Sequence, residues 1–565
     1  MFRANHTHRQ SELFGSQTLL SERKLQKLND SEEAVFYELI FRQIPEQEFA
    51  VLYSETDSRP NAPVNTLVAS LILKHRHGWS YKELFEHIDF DLKTRMALGL
   101  RELNNTPFSP ATLFNFQNRL ADHQAQTGQN LLERVFDQLT QSQLEALELQ
   151  TSIQRADSFL AGSNIRDYSR LQLIIEVLQR FCRILSESQR EALSEPVARY
   201  LKQTAGQQIY RLSAAEVPGE LARLGRAYRQ LLDEFEAEYG QHEAWRILQR
   251  VFAEHFAEAS GQVELRPASQ LQSGSLQSPD DPEATYRNKA GRASAGQVIH
   301  VAETAHPDNE CNLITDVAVA PNNTDDAAIL AGRLARMQAQ TPALAELHTD
   351  GGYGSEDVDE ALADHQITQI QTAIKGPDPA VPIDIVATPD EEEEGYRVSC
   401  PRQSVQAVRT PKRWKAEFDK SICAGCPLAG QCPTREGKAA RRLYFGQADA
   451  RRHARWCARE ALPDERQTLR ANVEATVREM KGAMEGNKLP VRGAFGAQCH
   501  GLLRAIGVNL GRIARYLDDP DTDGSLRGLC RTMAERCRKI RAAISPFLQQ
   551  FRIFRQLSLY GRQMS

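Results

Sequence analysis

The stretch TSIQRADSFL at 151–160 reads as a short strand with Asp157 near its end, yet the next strand signal, QVIHVAET, comes only at 297–304. Between them, from about 167 to 258, the chain is helical and amphipathic, as in SRLQLIIEVLQRFCRIL and ELARLGRAYRQLLDEFEAEY. A Ser/Gln/Pro-rich linker, RPASQLQSGSLQSPDDP, follows at 266–282. Strands then return quickly. NLITDVAVAP (312–321) precedes the helix DDAAILAGRLARMQ, the strand ALAELHTD ends at Asp350, and the helix SEDVDEALADH leads to a last strand, ITQIQTAI, at 367–374. Strands and helices that alternate around a helical interruption define an α/β domain with a mixed sheet. No fixed-period repeat is present.

Residues 1 to about 125 read as short helices joined by tight turns. Ser80 is a helix N-cap for YKELFEHI, and Ser109 caps SPATLFNFQNRLADH with Pro110 at the first helical position. Such helices fit a helix-turn-helix-like DNA-binding module and an ordinary helical bundle alike. The 565 residues suggest three or four domains, or two with large insertions, and 25% charged with 41% hydrophobic residues is the balance of a soluble globular chain. MFRANHTHRQ lacks the apolar core of a secretory signal, and no apolar run reaches the ~18 residues of a membrane span. Ten cysteines without such a signal point to a reducing compartment, and so to the cytosol, and to metal or thiol use over disulfides. The net charge of -5 hides an asymmetry: residues 451–565 hold 22 Lys and Arg against 11 Asp and Glu, with acid concentrated in segments such as PDEEEEGY. A basic C-terminal quarter suits a phosphate backbone, and equally an acidic neighbouring domain.

Three acids stand where chemistry could use them. Asp157 and Asp350 end strands, and Asp350 runs into GGYG, whose glycines allow close backbone approach. Glu474 lies in the helical stretch ANVEATVREMKGAMEGNKLPVRG, where offsets of four and seven residues put Arg470, Glu474 and Lys481 on one helical face. Carboxylates of this kind bind hard divalent cations. Each also has an ordinary reading, as a cap, a turn former or a surface charge. A second constellation is Cys400, Cys423, Cys426 and Cys432, with a C-x2-C pair inside CAGCPLAGQC; four thiolates make a closed structural zinc site. Cys182, Cys311, Cys457, Cys499, Cys530 and Cys537 are scattered and read as core or surface residues. His348, beside Asp350, reads as a structural strand histidine, and the amphipathic LLRAIGVNLGRIARYL (502–517) reads as a helix on the sheet with Arg512 and Arg515 solvated or on phosphate.

The segments ADSFLAGSNIRDYSRLQL, SPDDPEATYRNKAGR, NLITDVAVAPNNTDD and HTDGGYGS, with R-x3-E-x6-K at Arg470, Glu474 and Lys481, together resemble the DDE transposases of bacterial insertion sequences. The likeness extends to GWSYKELFEHIDFDLKTRMALGL in the N-terminal module. One position departs: three residues before Arg470, where the family signature has a tyrosine, this chain has Gln467. The resemblance implies a ribonuclease H-like mixed sheet flanked by helices, with a helical N-terminal DNA-binding domain, an α-helical insertion and a small zinc-binding insertion. The expected boundaries are 1–140 for the DNA-binding domain, 145–166 and 262–380 for the first parts of the catalytic core, and 167–261 for the helical insertion. They are 381–450 for the four-cysteine insertion and 451–565 for the helix carrying Glu474 and the basic helical region.

It further implies that Asp157, Asp350 and Glu474 are catalytic and hold two Mg²⁺ (or Mn²⁺) ions. The four clustered cysteines would hold structural Zn²⁺, with Arg470 and Lys481 on DNA phosphate. Tyr286, Arg287, Lys289 and Arg492 could meet DNA backbone or flanking bases, or lie on the surface. The expected partners are double-stranded DNA, as the element's terminal inverted repeats and its target, and a second copy of the chain bridging two ends. The expected location is the bacterial cytoplasm, at the nucleoid when DNA is bound. Two other readings share these residues: a transposase-derived DNA-binding protein that no longer cuts, and a metal-dependent nuclease of the same fold without strand transfer. A zinc-and-helix scaffold without DNA affinity is a third.

Overall fold

A computed structural model of the chain describes residues 1–9, 20–56, 59–210, 212–259, 261–289, 291–372, 381–389 and 394–518. Its centre is a mixed sheet of β1 (Ile153–Gly162), β2 (Thr285–Lys289), β3 (Arg292–Thr304), β4 (Ile314–Pro321), β5 (Glu346–Thr349) and β6 (Thr368–Gln371). β1 runs antiparallel to β3 from Gln154 opposite Thr304 to Gly162 opposite Gly296. The other edge of β3 pairs with β2 along its first residues and with β4 along the rest. On its far side β1 pairs in parallel with β5, and β5 with β6.

β1 is covered on both faces. Arg155, Asp157 and Phe159 alternate with Ala156 and Ser158, so the polar residues of IQRADSF are divided between the two sides of the sheet. Ala156 joins Ala302 and the apolar sides of two helices, whereas Phe159 joins Ile299, Val301 and Met480 in the larger core on the opposite face.

The N-terminal region is helical as expected. It includes α1 (Val64–His77), α2 (Tyr81–Phe90), α3 (Pro110–Thr127) and α4 (Leu131–Ala146). Ser80 and Glu83 form a reciprocal capping box, and Ser109 Oγ accepts from the Thr112 amide with Pro110 at the first position. Gly78, at φ +72°, ends α1 in the left-handed conformation. The helical block holds α5 (Arg170–Ile184), α6 (Val217–Tyr239) and α7 (Glu243–His255), which bury their apolar stripes against one another in a core of their own. α8 (Asp326–Gln340) and α9 (Glu356–Asp364) cover the Ala156 face of the sheet. α10 (Gln447–Glu460) leads to α11 (Val473–Lys481) and α12 (Ala494–Asp518). Apolar residues of α12 lie in one continuous core with those of α1, α4 and β4, so the N-terminal helices pack into the sheet region and not on a separate core. Ion pairs reinforce that junction, with Arg333 of α8 bridging Glu133 of α4 (3.0 Å) and Asp316 of β4 (2.6 Å). Among the described residues no helix is long and apolar enough to cross a membrane.

Two expectations change, and two further features were not anticipated. Asp157 lies in the middle of β1, which runs on to Gly162 because Phe159 and Ala161 continue the inward alternation. The stretch read as a linker is docked: Ser278 and Asp281 are buried, and Asp281 accepts a hydrogen bond from Ser163 at the end of β1. Residues 381–450 contain short antiparallel strands, Asp384–Pro389 with Glu394–Cys400 and Trp414–Asp419 with Ala440–Phe445. Their charged and cysteine-rich sequences hide the alternation. α10 crosses the boundary expected at 450. The acidic residues 390–393, the end of ITQIQTAI from Ala373, and the basic reach beyond Asp518 with Cys530 and Cys537 lie outside the described residues.

His300 of β3 is fully buried, with Nδ1 3.0 Å from the Tyr353 hydroxyl, and burial lowers its pKa from 6.5 to about 4. The unfolded chain therefore takes up this proton first as pH falls. The contribution of this group is whole above pH 6.5 and is lost progressively toward pH 4. We expect urea unfolding to show an acid destabilisation containing up to about 3 kcal/mol from this group, and His300→Gln to have a flatter dependence of its midpoint on pH over that range.

Candidate active site

Register brings the two aspartates together. Arg155 of β1 pairs with His348 of β5 in parallel, so two residues further along each segment Asp157 comes level with Asp350. Asp350 lies just past β5 and caps the turn Gly351–Tyr353, its Oδ1 accepting from the Gly352 amide at 2.7 Å. A side chain at Gly352 has no room: a Cβ there would lie 2.9 Å from Asp350 Oδ1 and 3.2 Å from Asp326 Oδ2. Glycine follows the acid because the carboxylates crowd this turn.

The third acid comes from α11. Arg470 sits in the single turn Leu469–Asn472 before that helix, and its guanidinium reaches all three carboxylates. Nη2 donates to Asp157 Oδ2 at 2.7 Å and lies 3.8 Å from Asp350 Oδ2, while Nη1 is 3.7 Å from Glu474 Oε1. Burial raises the Asp157 pKa, Arg470 and the Ser158 amide oppose the rise, and Asp350 and Asp326 add to it. Glu474 is the open member, its side chain 68% exposed. Lys481, at the far end of α11, holds Nζ 5.2 Å from the centre of the Phe159 ring, two residues beyond Asp157 on the same face of β1. Arg470 and Glu474 thus meet as expected, with Arg470 on a 3-10 turn that runs directly into α11 and Lys481 at the far end of that helix.

What holds α11 in place was not anticipated. Glu303 of β3 is fully buried and accepts from three partners. Arg155 Nε donates to Oε1 at 2.6 Å, and Thr476 Oγ1 and Arg512 Nη1 donate to Oε2 at 2.6 and 2.5 Å. Arg155 also reaches the Leu469 carbonyl, and Arg512 reaches Thr476 Oγ1 and Glu479, so both arginines tie the sheet to the segment carrying Glu474. This corrects the reading of Arg512 as solvated, since its apolar neighbours on α12 carry it inward to the Glu303 charge; Arg515 is exposed and paired with Glu479. A charged residue at a strand position whose neighbours are apolar, as Glu303 is in QVIHVAET, was the available signal.

Asp326 was missed as well. At the start of α8, its Oδ1 accepts from Ser158 Oγ at 2.5 Å on the face of β1 opposite Asp157. His348 is buried with Nε2 2.7 Å from Glu346, as a structural histidine should be.

The other expected contacts lie elsewhere. Arg287 donates to the Asn322 and Thr324 carbonyls, Tyr286 and Lys289 are exposed on β2, and Arg492 donates to the Asn164 carbonyl and pairs with Asp280. These residues gather at the Gly162 end of the sheet, away from the three acids. Cys400, Cys423, Cys426 and Cys432 line one cavity of about 20 Å³ beside Phe418 and Arg441. Cys423 Sγ accepts from Gln403, and Cys432 Sγ is 3.2 Å from Thr434 Oγ1. Among the described residues, the group of metal-ligating side chains whose ligand atoms lie mutually within 4.8 Å is a different one, Asp384, His453 and Cys457.

Two family models match the chain. Residues 394–514, which hold Arg470, Glu474 and Lys481, match the Transposase DDE domain, and residues 22–119 match a Transposase domain (DUF772). Both matches are to transposase domains, and together they support a DDE transposase of an insertion element. No curated protein and no solved structure matches the chain.

Removing the Glu303 charge leaves two buried guanidinium groups without their shared partner, a loss of about 3–5 kcal/mol for a pair of this kind. We expect Glu303→Gln to lower stability to urea by roughly that amount and to speed amide exchange across Val473–Lys481 more than across α5–α7.

Proposed function

We propose that the chain cuts and joins the ends of its own insertion sequence, with Asp157, Asp350 and Glu474 as the catalytic carboxylates. The observation that carries this reading is the contact of one guanidinium with all three, from residues separated by most of the chain. A mixed sheet with one acid on its central strand, one at the end of the parallel neighbour and one on a helix held against it supports a ribonuclease H-like core.

The donor set suits divalent cations. Three carboxylates provide hard oxygens, one buried and one open to solvent, and among the described residues Arg470 is the cation paired with them. Asp157, Asp350 and Glu474 would hold two Mg²⁺ or Mn²⁺ ions, which supply activation of water or a 3′-hydroxyl and support for the leaving oxygen. The protein's own groups do the positioning. The Gly352 amide and the parallel register orient Asp350, the Ser158 amide and Arg470 orient Asp157, and the Glu303 cluster sets the height of α11 over the sheet. Arg470 has the planar fork that fits a phosphodiester, and Lys481 adds a point charge one helix length away.

The substrate is double-stranded DNA, as terminal inverted repeats and target, held by a dimer of the chain. In this reading residues 1–140 bind the repeats and 167–261 form an insertion in the core of 145–166 and 262–380. Residues 381–450 form the four-cysteine insertion, and 451–565 bring Glu474 and an excess of basic residues. Tyr286, Arg287, Lys289 and Arg492, grouped at one end of the sheet, form a second backbone contact. Cys400, Cys423, Cys426 and Cys432 would hold structural Zn²⁺ as soft donors drawn in around the cavity they line.

Incubated with Mg²⁺ and DNA carrying the element's ends, the wild type should nick specifically at those ends and Glu474→Gln should bind without nicking. Binding without cleavage by both proteins would favour a DNA-binding protein that does not cut, and nicks that never yield joined products would favour a nuclease. Lys481→Ala should weaken binding to every DNA sequence and reduce the slope of log K against log salt by about 0.9, one phosphate contact; an unchanged slope removes Lys481 from the DNA path.

A further inference from the structure

α10 joins the cysteine-bearing insertion to the segment that carries Glu474. One side of it is tied to the sheet domain, where Arg455 Nη1 meets Asp359 of α9 at 2.5 Å. On another side stand His453 and Cys457, one helical turn apart and therefore on the same face. They meet Asp384, the first residue of the insertion strand Asp384–Pro389. His453 Nε2 lies 3.4 Å from Asp384 Oδ1 and 3.2 Å from Cys457 Sγ, and the three ligand atoms lie within 4.8 Å of one another.

We propose that Asp384, His453 and Cys457 form a binding site for a single zinc-class divalent ion, separate from the four cysteines and from the three acids. An Nε2–H can donate to the carboxylate and only weakly to the sulfur, so hydrogen bonding leaves most of the electron-pair capacity of the three groups unused. A cation among the three satisfies each of them as a donor of electrons. The spacing also fits: tetrahedral zinc with ordinary Zn–N, Zn–O and Zn–S lengths puts nitrogen and oxygen about 3.4 Å apart and nitrogen and sulfur about 3.6 Å apart. The observed separations are within a few tenths of an ångström of these. One sulfur, one imidazole and one carboxylate form a donor set that zinc takes readily, with water as the fourth ligand. On binding, Cys457 ligates as thiolate and its proton passes to solvent. Because the ligands come from the insertion strand and from α10, the ion would pin the insertion to the helix that is itself fastened to the sheet domain.

The test is metal binding by the full-length protein, stripped with chelator and titrated with Co²⁺ followed by absorption, with bound metal counted by mass spectrometry. Cys457→Ser and His453→Gln should each lose one equivalent relative to the wild type, with a weaker sulfur-to-cobalt band for Cys457→Ser. Asp384→Asn, at a position more than half exposed where folding is not at stake, should weaken one equivalent about tenfold or more. Cys423→Ser separates the two centres: it should leave this equivalent in place whether or not the four cysteines hold zinc. Unchanged Co²⁺ stoichiometry and affinity in Asp384→Asn and Cys457→Ser would overturn the proposal, and so would loss of this equivalent in Cys423→Ser alone.

Discussion

A buried carboxylate organises this protein. Glu303 has no access to solvent, and an ionised group in that position is tolerable only if its lone pairs are filled by donors. Arg155 fills one side from the neighbouring strand, and Arg512 and Thr476 fill the other from two helices. Four elements distant in sequence are thereby held in one geometry. Apolar packing alone would let α11 slide over the sheet, because hydrophobic contact is not directional. The charged cluster removes that freedom, and with it the freedom of Glu474, which lies two residues before Thr476.

The candidate site is assembled from the same side of β1. Arg155, Asp157 and Phe159 project in sequence from that face, and each meets a different part of the helical segment: the Leu469 carbonyl, Arg470 and Lys481. Anchor, acid and apolar platform are thus spaced by the pleat of one strand. Arg470 screens the anionic cluster, yet burial still raises the Asp157 pKa. A buried acid in that position is a receptive donor for a cation that brings more charge than a guanidinium does. The matches of residues 22–119 and 394–514 to transposase domains give this cluster its chemical context.

The periphery follows a different logic. The helical block forms its own core, whereas the N-terminal helices share one with α12 and the sheet. The first arrangement permits an insertion to be carried on a strand connection without disturbing the sheet. The second ties the N-terminal region mechanically to the helix that supplies Arg512. The cysteine-bearing insertion meets the rest of the molecule through α10, which touches α9 by ion pairs and the insertion by His453 and Cys457.

Much of this was legible in the chain alone. The short β-prone runs IQRADSF and QVIHVAET and the caps at Ser80 and Ser109 depend on neighbours within a few residues, so local chemistry determined these strands and helix starts. The spacing of Arg470 and Glu474 likewise predicted that the two meet. The docking of 266–282, the strands of the insertion and the inward course of Arg512 were not legible, because polar residues are buried only when a distant partner meets them. The sequence by itself determined which acids and bases exist and which local element carries each. Only the tertiary structure decided that Asp157 and Asp350 stand level, that one arginine meets three acids and that Glu303 holds them there, since strand register and the pairing of buried charges join residues hundreds of positions apart.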